Sequence, residues 1–486
     1  MTTKNKAPAS TIWTQAEATK ATQGEARGPD WFATGISIDT RTLQKGDLFI
    51  AITGDSMDGH DFALQALEKG ASAVVISKNV DGLPDDASVL KVSDTQTAME
   101  DLARAARARS AAEVIAITGS VGKTGTKEML AAVYGAHGQT HVAQKSYNNH
   151  WGVPLTLSGM HAGTDYGIFE IGMNHAGEIT PLTKMVRPHI AIITTVAPAH
   201  IGNFSNGIEG IADAKAEIFE GLEEGGIAII NRDMEMFDRV AQKATSLGIN
   251  LMTFGEHPEA HIRMTECLVA ANGTRVKATV MGEEVNYTLP IAGKHIAMNS
   301  LPVLGAIKMS GGSMDKATEA LKRMKAPERR GAVETIDMGE ADNPVTLIDE
   351  TYNASPTSMN AAFKVLALVD PGRGGRRIAV LGDMLELGKD GPRLHKELAL
   401  PLKVANVDLV YTCGPLMKNL HDNLQDNQKG AHTKTSKELA EIVPDVLTPG
   451  DVVMVKGSNG SKMNVVVEAL RNVSGRKVRT QKSRED

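Results

Sequence analysis

Short apolar runs recur along this chain: SAVVIS, VIAIT, YGIFEIG, IAIITTV, GIAIIN, RRIAVLG, DLVYTCG and DVVMVKG. Each is nearly continuous in apolar residues instead of alternating with polar ones. That is the pattern of parallel strands covered by helices on both faces. Several end in Gly, Asn or Asp, where a strand-to-helix loop can begin. Helical stretches separate them, so the expected class is α/β, doubly wound, with more than one sheet. The segment LVAANGTRVKATVMGEEVNYTLP alternates instead, and reads as an antiparallel β insertion with Asn-Gly as its hairpin turn.

At 486 residues, three domains are expected. One boundary falls in ARARSAAEV, where an Ala/Arg-rich helix gives way to a strand, and another in the charged turn KAPERRGAVE. The expected division is 1–111, 112–326 and 327–486: a smaller N-terminal α/β domain, a central P-loop parallel-sheet domain, and a C-terminal Rossmann-like α/β domain.

The segment VIAITGSVGKTGTKEML opens the central domain. A buried strand runs into Gly119-Ser120-Val121-Gly122, and a helix follows from Lys123. Glycines let backbone N–H groups point into one concavity, and the helix N-terminus adds its positive dipole end. Lys123 can meet β- and γ-phosphates, and Thr124 can offer a hydroxyl to Mg²⁺. A full P-loop has Gly where Ile117 stands, so the glycine frame here is short. A chance Gly-Lys-Thr in an ordinary βα turn is the plain alternative, weakened by the correct order of strand, loop and helix.

Two further residues sit where α/β sheets gather ligands, at the carboxyl ends of strands. Glu170 lies in the apolar strand of YGIFEIGMNHAGEI, where a carboxylate is costly unless metal-bound or salt-bridged. His200, in IITTVAPAHIGNF, follows another buried strand and reads either as a second ligand or as a structural histidine.

The bulk numbers exclude some partners. Net charge is -6, which gives no electrostatic reason for nucleic-acid binding. Aromatic residues are 4%, too few for base-stacking platforms. Cys267 and Cys413 are isolated from each other and suit a reducing compartment. MTTKNKAPASTIW lacks a signal-peptide core, and no run approaches the roughly 18 apolar residues of a membrane span. The expectation is a cytoplasmic protein, a monomer, with a solvated tail SGRKVRTQKSRED.

The motifs ITGSVGKTGTKEM, YNNHWGVPLTL, EIGMNHAGEI, AHIGNF, AKAEIF, GKHIAMNSL, DETYNASP, LGDMLELG and VKGS together resemble the Mur ligase family of ATP-dependent amide-forming ligases. The match covers nearly the whole chain, and T-G-S-x-G-K-T is that family's short phosphate loop. ISIDTRTLQKGDLFIAITGDSMDGHDF is similar to the UDP-sugar-binding domain of its later members. DETYNASP and VKGS stand where third-step members carry D-Y-A-H-x-P and G-K-G-H-E. The resemblance is therefore to the fourth-step member. It implies UDP-N-acetylmuramoyl-tripeptide and D-alanyl-D-alanine as substrates, with ATP and Mg²⁺. The usual pattern there is D-D-x-Y-N-A-N-P; this chain has Glu350 and Ser355 at the second Asp and second Asn.

The resemblance also implies site residues. Gly119, Ser120, Val121, Gly122, Lys123, Thr124 and Gly125 would wrap the ATP phosphates. Thr124 and Glu170 would hold Mg²⁺, with His200 at a second metal position. Lys215 would carry a CO₂-derived carbamate that supports the metal; an unmodified lysine on phosphate or substrate, or a helix-surface lysine, are the alternatives. His295 and Asn299 share a helical face, and Asn299 would lie at the adenine. Arg330 would reach the γ-phosphate, with Arg329 beside it as the other candidate. Asp349, Tyr352 and Asn353 would approach the nucleotide from the third domain. Thr40 and Arg41 would contact the UDP end of the substrate, and Asn148 and Asn149 its muramoyl-peptide part. The implied chemistry is formation of an acyl phosphate, then its aminolysis, in a cleft that closes before reaction. The rivals are another ligase of the superfamily, such as folylpolyglutamate synthetase, or a P-loop NTPase that performs no ligation.

Overall fold

The computed structural model describes residues 10–54, 56–198 and 201–473, so His200 and the expected tail lie outside the described residues. The apolar runs form the interior strands of three sheets.

The central sheet has nine strands. Its parallel part runs in the order Thr140–Val142, Tyr166–Glu170, Glu113–Thr118, Ile190–Ile193, Ile227–Asn231, Asn250–Gly255. Successive side chains of a strand face opposite sides, and both sides here are buried. Ile115 and Ile117 join the cluster under helices Lys123–Gly135 and Lys294–Met309. Val114 and Ala116 join the opposite cluster, under helices Gly152–Ser158, Ile179–Val186 and Gly207–Ala216. The chain leaves Glu113–Thr118 toward one edge, then returns to its other side at Ile190–Ile193. This change of direction opens a crevice at the strands' carboxyl ends, where the phosphate loop sits.

Ile262–Ala270, Gly273–Val280 and Glu283–Leu289 continue the same sheet as an antiparallel meander. The expected Asn-Gly turn is displaced by one residue. Ala270 pairs with Gly273, so Ala271 and Asn272 make the turn and Gly273 begins the next strand. At the second hairpin Met281 and Gly282 both have positive φ, 50° and 88°, the geometry that matches strand twist in a two-residue turn.

The N-terminal sheet has five strands, parallel except at one edge, where Glu25–Arg27 is antiparallel. The C-terminal sheet has six, with Ala332–Ile336 as its antiparallel edge. Trp151 and Leu155 of the central unit pack against the N-terminal core, and the indole N–H of Trp13 donates to Ser158 O at 2.8 Å. Among the described residues no helix is long and apolar enough to cross a membrane.

Candidate active site

A cavity of about 930 Å³ lies where the three sheets converge. Its wall includes Arg104 from the first unit and the phosphate loop from the second. Arg330, Tyr352 and Lys456 come from the third.

The loop is shaped by its glycines and tied to the next strand. Gly122 caps the helix with φ 90°, which a side-chain-bearing residue rarely adopts, and a Cβ there would lie 2.7 Å from Asn299 Oδ1. Ser120 N–H donates to Thr195 O at 2.8 Å, and its hydroxyl donates to Ala197 O at 2.8 Å. Thr194 Oγ1 donates to Val121 O at 2.6 Å. Lys123 starts the helix, and its ammonium donates to Gly119 O at 2.6 Å. Burial holds the Lys123 pKa below its ordinary value and nearby Arg330 adds to this, while Glu170 opposes both. A phosphate anion would favour the charged form.

Thr124 and Glu170 meet at the loop's edge. Glu170 ends its strand only 2% exposed, accepting from Thr124 Oγ1 at 2.9 Å and from Asn148 Nδ2 at 2.7 Å. Ser146 Oγ lies 3.1 Å from Thr124 Oγ1. Hydroxyl and carboxylate oxygens suit a hard cation such as Mg²⁺, which takes few protein ligands and completes its shell with water and phosphate. Among the described residues no group of three or more His, Cys, Asp or Glu is gathered for a metal.

Arg330 crosses from the third unit. Its guanidinium donates to Thr124 Oγ1 at 2.9 Å and stacks 3.6 Å above the Tyr352 ring. Arg329 is committed elsewhere: it donates to Thr351 Oγ1 at 3.0 Å and to Thr351 O at 2.8 Å. Of the two arginines, Arg330 is the one on the phosphate loop.

The remaining expected residues divide. His295, Asn299, Asn148, Asn149, Tyr352 and Asn353 all line the cavity. Asn149 Oδ1 also accepts from the N–H of Gly152, the first residue of the next helix, at 2.9 Å. Lys215 is 3% exposed, and its pKa is held well below the ordinary lysine value by burial and by the charge of Lys123. Asp349 departs from expectation: it is not part of the cavity wall. Its carboxylate accepts from the Thr351 hydroxyl at 2.6 Å and lies 3.6 Å from Arg471. Neighbouring strand residues face opposite ways, so Glu350 takes the cavity side and receives Lys456 Nζ at 3.1 Å. Thr40 and Arg41 also lie away from the cavity. Thr40 donates to Gln65 at 2.7 Å, and the exposed Arg41 pairs with Asp39 at 2.7 Å. Ser146, Glu350 and Lys456 were not expected. Glu350 lies inside DETYNASP and Lys456 inside VKGS, while Ser146 lies in none of the quoted motifs.

The chain is similar to known proteins over nearly its whole length. The family described as "Mur ligase middle domain" matches residues 117–307, "Mur ligase, glutamate ligase domain" matches 334–459, and "Mur ligase family, catalytic domain" matches 33–107. The UDP-N-acetylmuramoyl-tripeptide–D-alanyl-D-alanine ligase of Bacillus subtilis (strain 168) is 32% identical over 463 residues, 95% of this chain and 98% of that one. The chain is a Mur ligase. The ligase of the same description from Escherichia coli (strain K12) is 34% identical to this Mur ligase over 460 residues, 94% of this chain and 98% of that one. A crystal structure of MurF from Acinetobacter baumannii superposes with a TM-score of 0.82 at 28% identity, covering 95% of this chain and 99% of that one.

Proposed function

We propose that this Mur ligase joins D-alanyl-D-alanine to UDP-N-acetylmuramoyl-tripeptide at the expense of ATP, through an acyl phosphate. The observation that carries the reading is the full-length similarity to ligases of that description, together with a phosphate loop whose Thr124 meets both Glu170 and Arg330.

Oxide is too poor a leaving group for an amine to displace from a carboxylate. One oxygen of the tripeptide carboxylate attacks the γ-phosphorus, the bond to the β-phosphate oxygen breaks, and ADP leaves. The amine of the dipeptide then attacks the acyl carbon. It loses a proton as the amide forms, and inorganic phosphate departs. The first step brings several anions together. Lys123 at the loop and Arg330 from the third unit would offset their repulsion, and most strongly as charge builds in the transition state. Tyr352, stacked under the guanidinium, would hold Arg330 in line. Water would hydrolyse an acyl phosphate, so walls contributed by three units serve to exclude it.

Thr124 and Glu170 would hold Mg²⁺, which when bound supplies charge neutralisation for the phosphates. A second Mg²⁺ position would draw on His200. Lys215 would carry a carbamate: burial and the charge of Lys123 lower its pKa, which favours the neutral amine that adds CO₂. Addition to the neutral amine followed by proton loss would leave an anion beside Lys123. His295 and Asn299 would border the adenine. The test is ATP-dependent phosphate release with UDP-muramoyl-tripeptides ending in diaminopimelate or lysine, with and without D-alanyl-D-alanine. Release that requires both substrates supports the ligase; release indifferent to the dipeptide overturns it.

A further inference from the structure

Lys127 lies one turn beyond Lys123 on the phosphate-loop helix and is fully buried. Its ammonium donates to Ala143 O at 2.9 Å and to Lys145 O at 3.4 Å, and lies 2.8 Å from the half-exposed carboxylate of Glu128. Burying an ion costs several kcal/mol, which an apolar side chain of similar size would avoid. What the ammonium adds is a donor for two carbonyls of segment 143–149, which has no helix or strand of its own.

That segment is a strap across the catalytic cleft. After Ala143 and Lys145 it presents Ser146 to Thr124 at 3.1 Å and Asn148 to Glu170 at 2.7 Å. Asn148 O also receives Gly172 N–H at 2.7 Å, fixing the strap's far end beside the Glu170 strand. Both ends of the strap are thus held, and Lys127 holds the near one from beneath.

We propose that Lys127 is a positioning residue: it sets the strap at the height where Ser146 and Asn148 orient Thr124 and Glu170 toward the nucleotide's phosphates and their cation. The inference rests on the ATP-dependent reading above, but its test does not need ligation. Titration of the whole protein with ADP, at a series of Mg²⁺ concentrations, reads the site directly by calorimetry. Lys127→Met should raise the Mg²⁺ concentration needed for half-maximal ADP binding by about 10-fold or more, the usual cost of losing a group behind a metal ligand. Asn148→Ala should do the same, and the double variant should be little worse than either single one, because both act through the same strap. Glu128→Gln keeps the carbonyl bonds and should leave the Mg²⁺ requirement unchanged. A Lys127→Met protein with lowered melting temperature but wild-type Mg²⁺ dependence would overturn the proposal. So would additive losses in the double variant, or a Glu128→Gln loss equal to that of Lys127→Met. If Lys127→Met does not fold, Lys127→Gln, which keeps one donor, takes its place in the same titrations, and the same outcomes support or overturn the proposal. Wild-type ADP binding without any ligation would count against the proposed reaction and leave this test standing.

Discussion

Replacing Arg330 by Ala removes a cation that the third unit places on the phosphate loop. Its guanidinium bonds Thr124 Oγ1 at 2.9 Å, and a hydrogen bond involving a charged group is worth roughly 1.5–3 kcal/mol. If that interaction is realised mainly as charge builds on the transferring phosphoryl group, kcat should fall about 10- to 150-fold. An arginine acting directly on the transferring oxygens would push the loss toward about 10³-fold. Arg330→Lys should recover only part, since a point charge lacks the planar fork and the Tyr352 stack. The neighbouring Arg329 is the internal control. It bonds Thr351, so Arg329→Ala should lower the melting temperature more than kcat. The assay is steady-state phosphate release with saturating UDP-substrate and dipeptide, alongside thermal unfolding of each variant. Equal kcat losses at the two positions, or an unchanged kcat in Arg330→Ala, would refute the reasoning.

Other perturbations follow from the same contacts. A Cβ on Gly172 would sit 2.9 Å from Asn148 Cγ, so Gly172→Ala should displace Asn148 from Glu170 and lower kcat/KM about tenfold, with no further loss on adding Asn148→Ala. His395 is buried and neutral, accepting Met384 N–H at Nε2 and donating from Nδ1 to Gly391 O, and burial lowers its pKa. Below pH of about 6.5 the unfolded chain binds this proton more readily, so stability should fall as pH drops, and His395→Gln should flatten melting temperature against pH there. Lys215→Ala should lose most activity, and short carboxylic acids supplied in the buffer should restore part of it if a carbamate normally stands there. No rescue, together with no carbamate carbon by ¹³C NMR of protein equilibrated with labelled bicarbonate, would remove the carbamate.

Much of the fold could be read from the chain because its central strands are buried on both faces. Runs such as VIAIT, IAIITTV and DVVMVKG carry no competing periodicity, and each lies within a parallel strand or extends just past it. The phosphate loop was legible for a related reason: glycine spacing, Lys123 and Thr124 are local, and the chemistry follows from local order. What depends on facing was harder. Asp349 and Glu350 are adjacent in sequence, yet strand alternation gives the cavity to Glu350 and leaves Asp349 with Thr351 and Arg471. The hairpin at Asn272 slipped by one residue because pairing across the strands, not the Asn-Gly step, sets the turn. Asn148 and Asn149 of the strap were expected at the site, but the anchoring of the strap by Lys127 was not, since the Lys127 ammonium bonds backbone carbonyls, which every residue has.

Central to the proposed mechanism is that the tripeptide carboxylate takes the γ-phosphoryl group before the amide forms. UDP-N-acetylmuramoyl-tripeptide labelled with ¹⁸O in its terminal carboxylate tests this most directly. Turnover with ATP and D-alanyl-D-alanine should place one ¹⁸O in each molecule of released phosphate, read by the isotope shift in ³¹P NMR. Phosphate free of label, formed at the same rate as the amide, would contradict it.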